Sequence, residues 1–378
     1  MRTNLANLTL FFAVCIGCSR NESTPSPSRH PQPSLGPVLS VPDQDGVWVW
    51  WRIEVERAEH AVSYGSDSQL DHERRLSRTT KMPWVRIDGL VPGTRYSYRV
   101  RSGEFTSDIH RFELPRPEDA FRVAVWADNQ NGVDTFTHRT IPALARARPQ
   151  FLLGLGDYVQ DGFRAKEWET QFLSPAAELL RTVPLFPARG NHDGIGKLAR
   201  AMLPLPDDLG WYAVTLGPIR LVVLDTNLPC GDISPQGTWL RTETAGHAWL
   251  DAEFRLVAFH HSPFSVLWDE AGYDGEPGVR TDIVPVIEAA GVDLVLSGHA
   301  HAYERLRRKR PDGGIVEYVV LGGGGGALDT VRSADWPGLV KAEPRHHIAV
   351  IEVTSKRLHL RVIDTGSGDS LDDLRLGE

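Results

Sequence analysis

Cysteine is nearly absent. Cys15, Cys18 and Cys230 are the only three in 378 residues, too few for a disulfide framework across the body of the chain. A hydrophobic core must carry the stability, and at roughly 100 to 200 residues per domain the length allows two or three domains. A surplus of positive charge is missing as well. Lys and Arg number 41 against 49 Asp and Glu, a net charge of -8, so no general attraction draws the protein to nucleic acid or an anionic membrane. Any anion must be held by a local site. Also lacking is an uninterrupted apolar run of the ~20 residues that a bilayer-spanning helix needs. With 41% hydrophobic and 24% charged residues, the chain has the balance of a folded soluble protein.

The two ends of this picture differ from its middle. Residues 1–18 carry Arg2, an apolar stretch from Leu8 to Ile16, and then Gly17-Cys18-Ser19-Arg20, the layout of a secretory signal. A small residue directly before a cysteine resembles the processing box of bacterial lipoproteins, which implies an acylated Cys18 and a place in the bacterial cell envelope, periplasmic or surface. Membrane contact is then expected only through that anchor. Residues 19–45 read as a linker, since six prolines and six serines fill half of the positions from Ser19 to Pro42. Such composition cannot bury enough apolar surface to offset chain entropy. Cys230 is left as the free thiol, expected to be a packed or loop residue.

From residue 46 to 116 short aromatic or alternating stretches such as Val47-Trp48-Val49-Trp50-Trp51 and Tyr96-Ser97-Tyr98-Arg99-Val100 are separated by turn formers. That pattern predicts a small β-sandwich. The run Leu90-Val91-Pro92-Gly93-Thr94-Arg95-Tyr96 resembles the tyrosine corner of fibronectin type III modules, although the segment is short enough to lack a strand. Residues 118–365 then alternate apolar runs with helical stretches, expected at 138–147, 165–182, 238–254 and 281–290. This is the grammar of an α+β or α/β sandwich, two central sheets flanked by helices. Residues 366–378 read as a tail. The glycines 322–326 follow the strand Tyr318-Val319-Val320-Leu321 with no lysine after them, so a close backbone turn is expected rather than a phosphate loop.

Metal-type side chains sit where these apolar runs end. Asp128 and Asp157 close the first two, Asn191-His192-Asp193 follow a short run, His260-His261 close a fourth, and His299 and His301 follow a fifth. In layered α/β folds the carboxyl ends of neighbouring strands open into one crevice, so these groups are expected to converge. Their oxygen and nitrogen donors suit Zn, Fe or Mn.

Asp128, Gly156-Asp157, Gly190-Asn191-His192-Asp193, His260-His261-Ser262-Pro263 and Gly298-His299-Ala300-His301 stand in the order of the calcineurin-like metallophosphoesterases. The last run resembles the purple acid phosphatase branch, which also carries a fibronectin-like sandwich ahead of the catalytic domain. The resemblance implies that Asp157 bridges two metal ions, Asp128 and His301 completing one site and Asn191, His260 and His299 the other. His260 is preferred to His261 because it directly follows the apolar strand; His261 stays the alternative. His192 resembles the histidine that contacts the phosphate and helps the leaving oxygen depart, and Asp193 either orients it or holds a turn. Two divalent ions carry about +4 and the two aspartates return about -2, leaving a surplus that attracts phosphate and acidifies bound water. The implied activity is hydrolysis of phosphomonoesters, on a small molecule or a peptide, by attack of metal-bound hydroxide. The alternatives are a phosphodiesterase of the same fold and a non-catalytic surface-binding lipoprotein.

Several further residues carry expectations. Trp268 is expected to shape access to the site, and Arg307-Arg308-Lys309-Arg310 to be a solvated hairpin arm rather than a steering patch. Two positions depart from the resemblance. Gln160 stands where the branch carries the tyrosine whose ferric complex gives the colour, and Gln130, two residues after Asp128, is a candidate weak ligand or hydrogen-bond donor. Tyr158 is one residue after the aspartate and is expected to point elsewhere. Without tyrosinate, a redox-stable Zn or Mn pair is as suitable as Fe-Zn. Iron-loaded protein is therefore expected to show no strong charge-transfer band near the centre of the visible range. A band that survives Gln160→Ala but not Tyr158→Phe would overturn that expectation.

Overall fold

The computed structural model describes residues 33–206, 209–270 and 272–377. The expected signal segment, Cys18 and the linker as far as residue 32 lie outside them. Along the amino-terminal part run β1 (Leu35–Ser40), β2 (Gly46–Arg52), β3 (Arg57–Ser66), β4 (His72–Thr80), β5 (Trp84–Asp88), β6 (Arg95–Ser102), β7 (Phe105–Thr106) and β8 (His110–Glu113). There follow β9 (Phe121–Trp126), β10 (Phe151–Gly154), β11 (Leu185–Pro187), β12 (Tyr212–Leu216), β13 (Ile219–Val223), β14 (Phe254–His261) and β15 (Leu294–Gly298). The chain ends with β16 (Tyr303–Lys309), β17 (Ile315–Leu321), β18 (Leu339–Glu343), β19 (His347–Thr354), β20 (Arg357–Asp364) and β21 (Ser370–Gly377).

Two large sheets face each other. One has nine strands in the order β21-β20-β19-β9-β10-β11-β1-β2-β5, the other seven in the order β12-β13-β14-β15-β17-β16-β18. The central strands are parallel and apolar on both faces, as parallel strands covered on both sides must be. On β9, Val123 and Val125 point into the core between the sheets while Ala124 and Trp126 point outward to the helices. On β14, Leu256 and Ala258 face the same inner core, and Val257 and Phe259 pack outward with Trp249, Ile283 and Ile287. Helical turns over 133–146, 165–173 and 177–180 cover the first sheet's outer face. The expected helix over 238–254 is instead Pro235–Thr244 plus His247–Leu250, because Ser234 caps an earlier start and β14 already begins at Phe254. The Ser234 hydroxyl accepts from Gly237 N at 3.0 Å, and Pro235 occupies the first helical position, both ordinary start signals. The helix expected over 281–290 appears as Pro277–Asp282 and Val284–Ala289.

The amino-terminal strands form the two layers expected of a sandwich, but they are not a separate bead. One layer holds β4-β3-β6-β7, with β8 also on β6; the other, β1-β2-β5, is the far end of the nine-stranded sheet. The junction is β1, antiparallel to β2 and parallel to β11 through Ser40 and Leu185, with Val41 N donating to Leu185 O at 2.8 Å. The linker expected over 19–45 is thus corrected from residue 33 onward: Leu35, Val38 and Leu39 are buried, and β1 is the strand that the 46–116 segment seemed to lack. The Tyr96 hydroxyl accepts from Val91 N at 2.9 Å, closing the corner read in the sequence. The expected tail 366–378 is corrected too, since β21 pairs with β20 along most of its length.

Removing β1 would expose the edge of β11 and uncouple the sandwich from the sheet. A chain starting at residue 33 is expected to keep the thermal midpoint of the longer protein, whereas one starting at Gly46 loses at least several degrees in calorimetry, the loss of the buried Leu35, Val38, Leu39 and Val41 side chains at ~1.5 to 3 kcal/mol each. Equal midpoints would show that β1 contributes nothing to stability.

Candidate metal centre

The carboxyl ends of β9, β10, β14 and β15 bring Asp128, Asp157, His260 and His299 into one buried cluster. Asp128, Asp157 and His299 all take left-handed backbone angles, with φ of 61°, 54° and 73°. Asp, Asn and His tolerate this region better than other side chains, and the reversal turns each side chain out of its strand and over the crevice. The turn is secured through the backbone. Asn129 N and Gln130 N both donate to Asp157 O, at 3.1 and 3.2 Å. Gly190 allows a close approach here, because a Cβ at this position would lie 2.1 Å from Asp157 Oδ1. The glycine run closes another wall: a Cβ on Gly324 would sit 2.1 Å from Ala127 O, so residues 322–326 are the expected close turn.

Asp157 Oδ2 lies 3.2 Å from His260 Nε2 and 3.2 Å from Gln130 Nε2, and its Oδ1 accepts from His192 N at 2.8 Å. His260 Nε2 is 3.1 Å from Asn191 Oδ1 and 3.3 Å from His299 Nδ1. On the other side, His301 Nε2 is 3.6 Å from Asp128 Oδ1. The outer nitrogens fix the ring orientations. His260 Nδ1–H donates to Leu155 O at 2.9 Å and His301 Nδ1–H to Ala327 O at 2.5 Å, so each Nε2 is turned inward, the nitrogen that would give its lone pair to a bound cation in place of a proton. Every residue expected to bind metal is therefore present in one place, and Asp157 stands between the two groups.

The electrostatics describe a place built for cations. Asp128 is fully buried. Burial drives its carboxyl well above the ordinary carboxylate range, while His260 opposes that shift and Asp157 adds to it. For His260, burial opposes the charge, but Asp157 and Asp128 prevail and lift the imidazole to about 10. Burial pushes the neighbouring His261 down to about 3 and His299 to about 2, with the His260 charge adding to both. Among the described residues Asp128 Oδ1 is buried with no hydrogen-bond partner, an arrangement that costs about 1–3 kcal/mol or more unless something occupies its lone pairs. The donor set and this orphaned oxygen fit metal ions. Ligand atoms of Asp128, Asp157 and His260 fall within 4.8 Å of one another, as do those of His260, His261 and His299.

A family model for calcineurin-like phosphoesterases matches residues 105–303, more than half of the chain. The protein belongs to that family. Purple acid phosphatase 21 of Arabidopsis thaliana is similar at 24% identity over 361 residues, 85% of this chain and 81% of that protein. The solved structure of a purple acid phosphatase from yellow lupin (Lupinus luteus) seeds matches with a TM-score of 0.79 at 17% identity, over 90% of this chain and 74% of that one. A structure of PhoD matches at 0.68 and 15% identity, over 93% and 92%. At these identities the structural matches establish a shared fold. The chain is a purple acid phosphatase-like phosphoesterase, a phosphoric ester hydrolase by family.

Two residues whose parts the sequence left open take definite places in the phosphoesterase. Asp193 does not reach the His192 ring. Its carboxylate accepts from Asp157 N at 2.9 Å, Tyr158 N at 2.8 Å and Gly190 N at 2.8 Å, so it ties together the two loops that carry Asp157 and Asn191. The orienting part falls to Gln160, whose backbone oxygen accepts from His192 Nδ1 at 2.9 Å and whose Nε2 lies 3.1 Å from the same nitrogen. The second is His261. Between Ala258 and His261, β14 spends three residues where β15 spends two, a bulge, and the ring of His261 comes within 4.6 Å of His299. Thr226 Oγ1 holds its Nδ1 at 2.7 Å. Both histidines of the pair thus face the centre, and only the strand register could have revealed it.

Other expectations hold their places. Tyr158 points outward and stacks on Phe172 at 4.5 Å. Trp268 leans on His299 at 5.0 Å and on Tyr273 at 4.4 Å. Arg307, Arg308 and Arg310 are each paired, with Glu317, Glu288 and Asp293, while Lys309 is exposed. Burial drives the Cys230 thiol up to about 12, and its sulfur is packed against Leu228 O and Gln236 Nε2, as a packed residue should be. The two loop residues separate by experiment. Asp193→Ala strands three buried N–H groups, at about 1–3 kcal/mol each, and is expected to lower the thermal midpoint together with activity. His192→Ala is expected to lose activity by about 100-fold or more with the midpoint unchanged. A stable, inactive Asp193→Ala would return the catalytic role to Asp193.

Proposed function

We propose that this exported phosphoesterase hydrolyses phosphomonoesters of small molecules or peptides at a binuclear metal centre. The reading rests on one observation above the rest: Asp157 lies between two sets of inward lone pairs, Asp128 with His301 and Asn191 with His260 and His299, beside the half-buried His192. When bound there, two metal ions of the Fe, Zn or Mn type would supply Lewis-acid activation of water and neutralise charge on the phosphoryl oxygens. The chain does the rest. His192 is held from both sides, its backbone N–H by Asp157 and its Nδ1–H by the Gln160 carbonyl. Its Nε2 is then the nitrogen left to bind the phosphate or pass a proton to the leaving oxygen. Trp268, half-buried beside His299, gives the leaving group a flat apolar wall.

Support for the remaining features differs in kind. The strand order β4-β3-β6-β8 against β1-β2-β5 and the Tyr96 corner support a fibronectin type III-like reading of the amino-terminal sandwich. Export and lipid anchoring at Cys18 rest on the sequence of residues 1–20. The net charge of -8 argues against a nucleic acid partner.

The test is hydrolysis of p-nitrophenyl phosphate by protein from residue 19 onward, depleted of metal and reloaded with Mn, Zn or Fe, beside bis(p-nitrophenyl) phosphate. Metal-dependent turnover of the monoester is expected, above that of the diester and lower by about 100-fold or more in Asp157→Asn. Preference for the diester would make the enzyme a phosphodiesterase. Turnover of neither, by folded and metal-loaded protein, would leave the surface-binding reading.

A further inference from the structure

A cleft of about 770 Å³ lies at the seam where the amino-terminal strands meet the seven-stranded sheet, and none of the metal donors lines it. Its size and its place between two layers are usual for a small-ligand site. One wall carries Asp43, Trp48 and Arg86, from the turn after β1 and from β2 and β5. The other carries Arg220 of β13 with Trp239 and Glu243 of the helix Pro235–Thr244. Each wall thus supplies a half-buried tryptophan. Trp48 is held by Trp84, the two rings stacked with their centroids 3.9 Å apart. The polar groups of both walls are already paired. Arg86 Nη2 lies 2.8 Å from Asp43 Oδ2 and 3.3 Å from Asp45 Oδ1, while Arg220 donates from Nε to Glu243 Oε1 at 2.7 Å and from Nη1 to Thr215 Oγ1 at 3.0 Å.

This pairing decides what the cleft can take. Three carboxylates against two guanidiniums give an anion such as phosphate no attraction. A cation finds each carboxylate engaged, and Arg86 already occupies the place over the Trp48 ring, 5.9 Å from its centroid, that a ligand cation would use. Neutral hydroxyls fit better. A paired carboxylate keeps free lone pairs and a paired guanidinium keeps free N–H groups, so both walls present acceptors beside donors, the two functions that every sugar hydroxyl combines. The indole rings suit the apolar C–H face of a pyranose. β12 also lines the cleft and is the outermost strand of its sheet, so the peptide groups on its open side add further donors and acceptors. We propose that this cleft is a second ligand site, separate from the metal centre, and that it binds a neutral saccharide. Its side chains are held in place before the ligand arrives, which lowers the ordering cost of binding, and no metal is needed there.

The experiment is calorimetric titration of the metal-loaded protein from residue 19 onward with chitohexaose, cellohexaose and maltohexaose, and of Trp48→Ala and Trp239→Ala with whichever binds. At least one of the three is expected to bind saturably, with a dissociation constant below about 1 mM. Each variant should weaken that binding by about tenfold or more, and hydrolysis of p-nitrophenyl phosphate should stay as it was in both. Binding of none of the three by folded protein would overturn the proposal. So would equal affinity in the unaltered protein and both variants, which would put the sugar elsewhere on the surface. Saturable binding of an uncharged Thr-Val hexapeptide, with no saccharide bound, would overturn it in favour of strand addition along β12. If Trp48→Ala does not fold by circular dichroism, Trp239→Ala on the opposite wall decides by the same readings.

Discussion

Two carboxylates buried in one crevice are the constraint on which this structure turns. Asp128 and Asp157 have 0% and 1% exposure, and two like charges 4 Å apart repel by about 4 kcal/mol even at an effective dielectric of 20. The imidazolium of His260 faces both, and among the described residues Asp128 Oδ1 has no hydrogen-bond partner. The rest of the site is arranged to keep that arrangement from relaxing. Left-handed backbone at Asp128, Asp157 and His299, the carboxylate of Asp193 gathering three N–H groups, and glycines that let loops approach within a hydrogen bond all hold strain in place. Such strain persists only where the surroundings over-determine it. Here those surroundings are two sheets packed face to face.

The sheets explain why an amino-terminal sandwich matters to a centre it does not line. Through β1, the strands β2 and β5 extend the sheet that carries Asp128 and Asp157. The buried cluster between the large sheets includes Trp51, Val62 and Tyr98 of the sandwich as well as Val125 and Leu296 next to the site. Tyr98 also reaches the helical layer, its hydroxyl donating to Arg181 O at 2.8 Å. Interiors packed at this density transmit displacement rather than absorb it, so the sandwich braces the nine-stranded sheet.

The donors were legible in the sequence because each follows a run of apolar residues, and a parallel strand covered on both faces produces such a run whatever else surrounds it. Asp157 after Phe151-Leu152-Leu153-Gly154-Leu155 and His260 after Leu256-Val257-Ala258-Phe259 are the clearest cases. What could not be read depends on register or on backbone sign. His261 should face away from His260 by strand alternation, and only the bulge against β15 brings both inward. Asp193 was open between orienting its neighbour and holding a turn, and only the backbone at Asp157, which aims two N–H groups at it, decides for the turn. β1 was hidden by averaging, since Leu35, Val38 and Leu39 sit inside a segment whose prolines and serines suggest a tether. β21 was hidden similarly, with three aspartates and serines diluting Leu371, Leu374 and Leu376.

The exchange of an anionic ligand for glutamines alters more than colour. A tyrosinate would withdraw one unit of positive charge from the centre and stabilise a trivalent ion. With Gln160 turned to His192 and Gln130 at Asp157, the same two aspartates face whatever cations bind, and a divalent pair then leaves about the same surplus that a ferric-divalent pair with tyrosinate would. The net attraction for a phosphoryl group is thereby kept while the redox-active ion is no longer needed. Gln160 also holds His192, but by its backbone carbonyl, which accepts from Nδ1–H at 2.9 Å while the side-chain Nε2 lies beside the ring. The loop that carries Asp157 thus also fixes the orientation of the His192 ring, and the geometry beside the donor cluster is tied to the cluster itself.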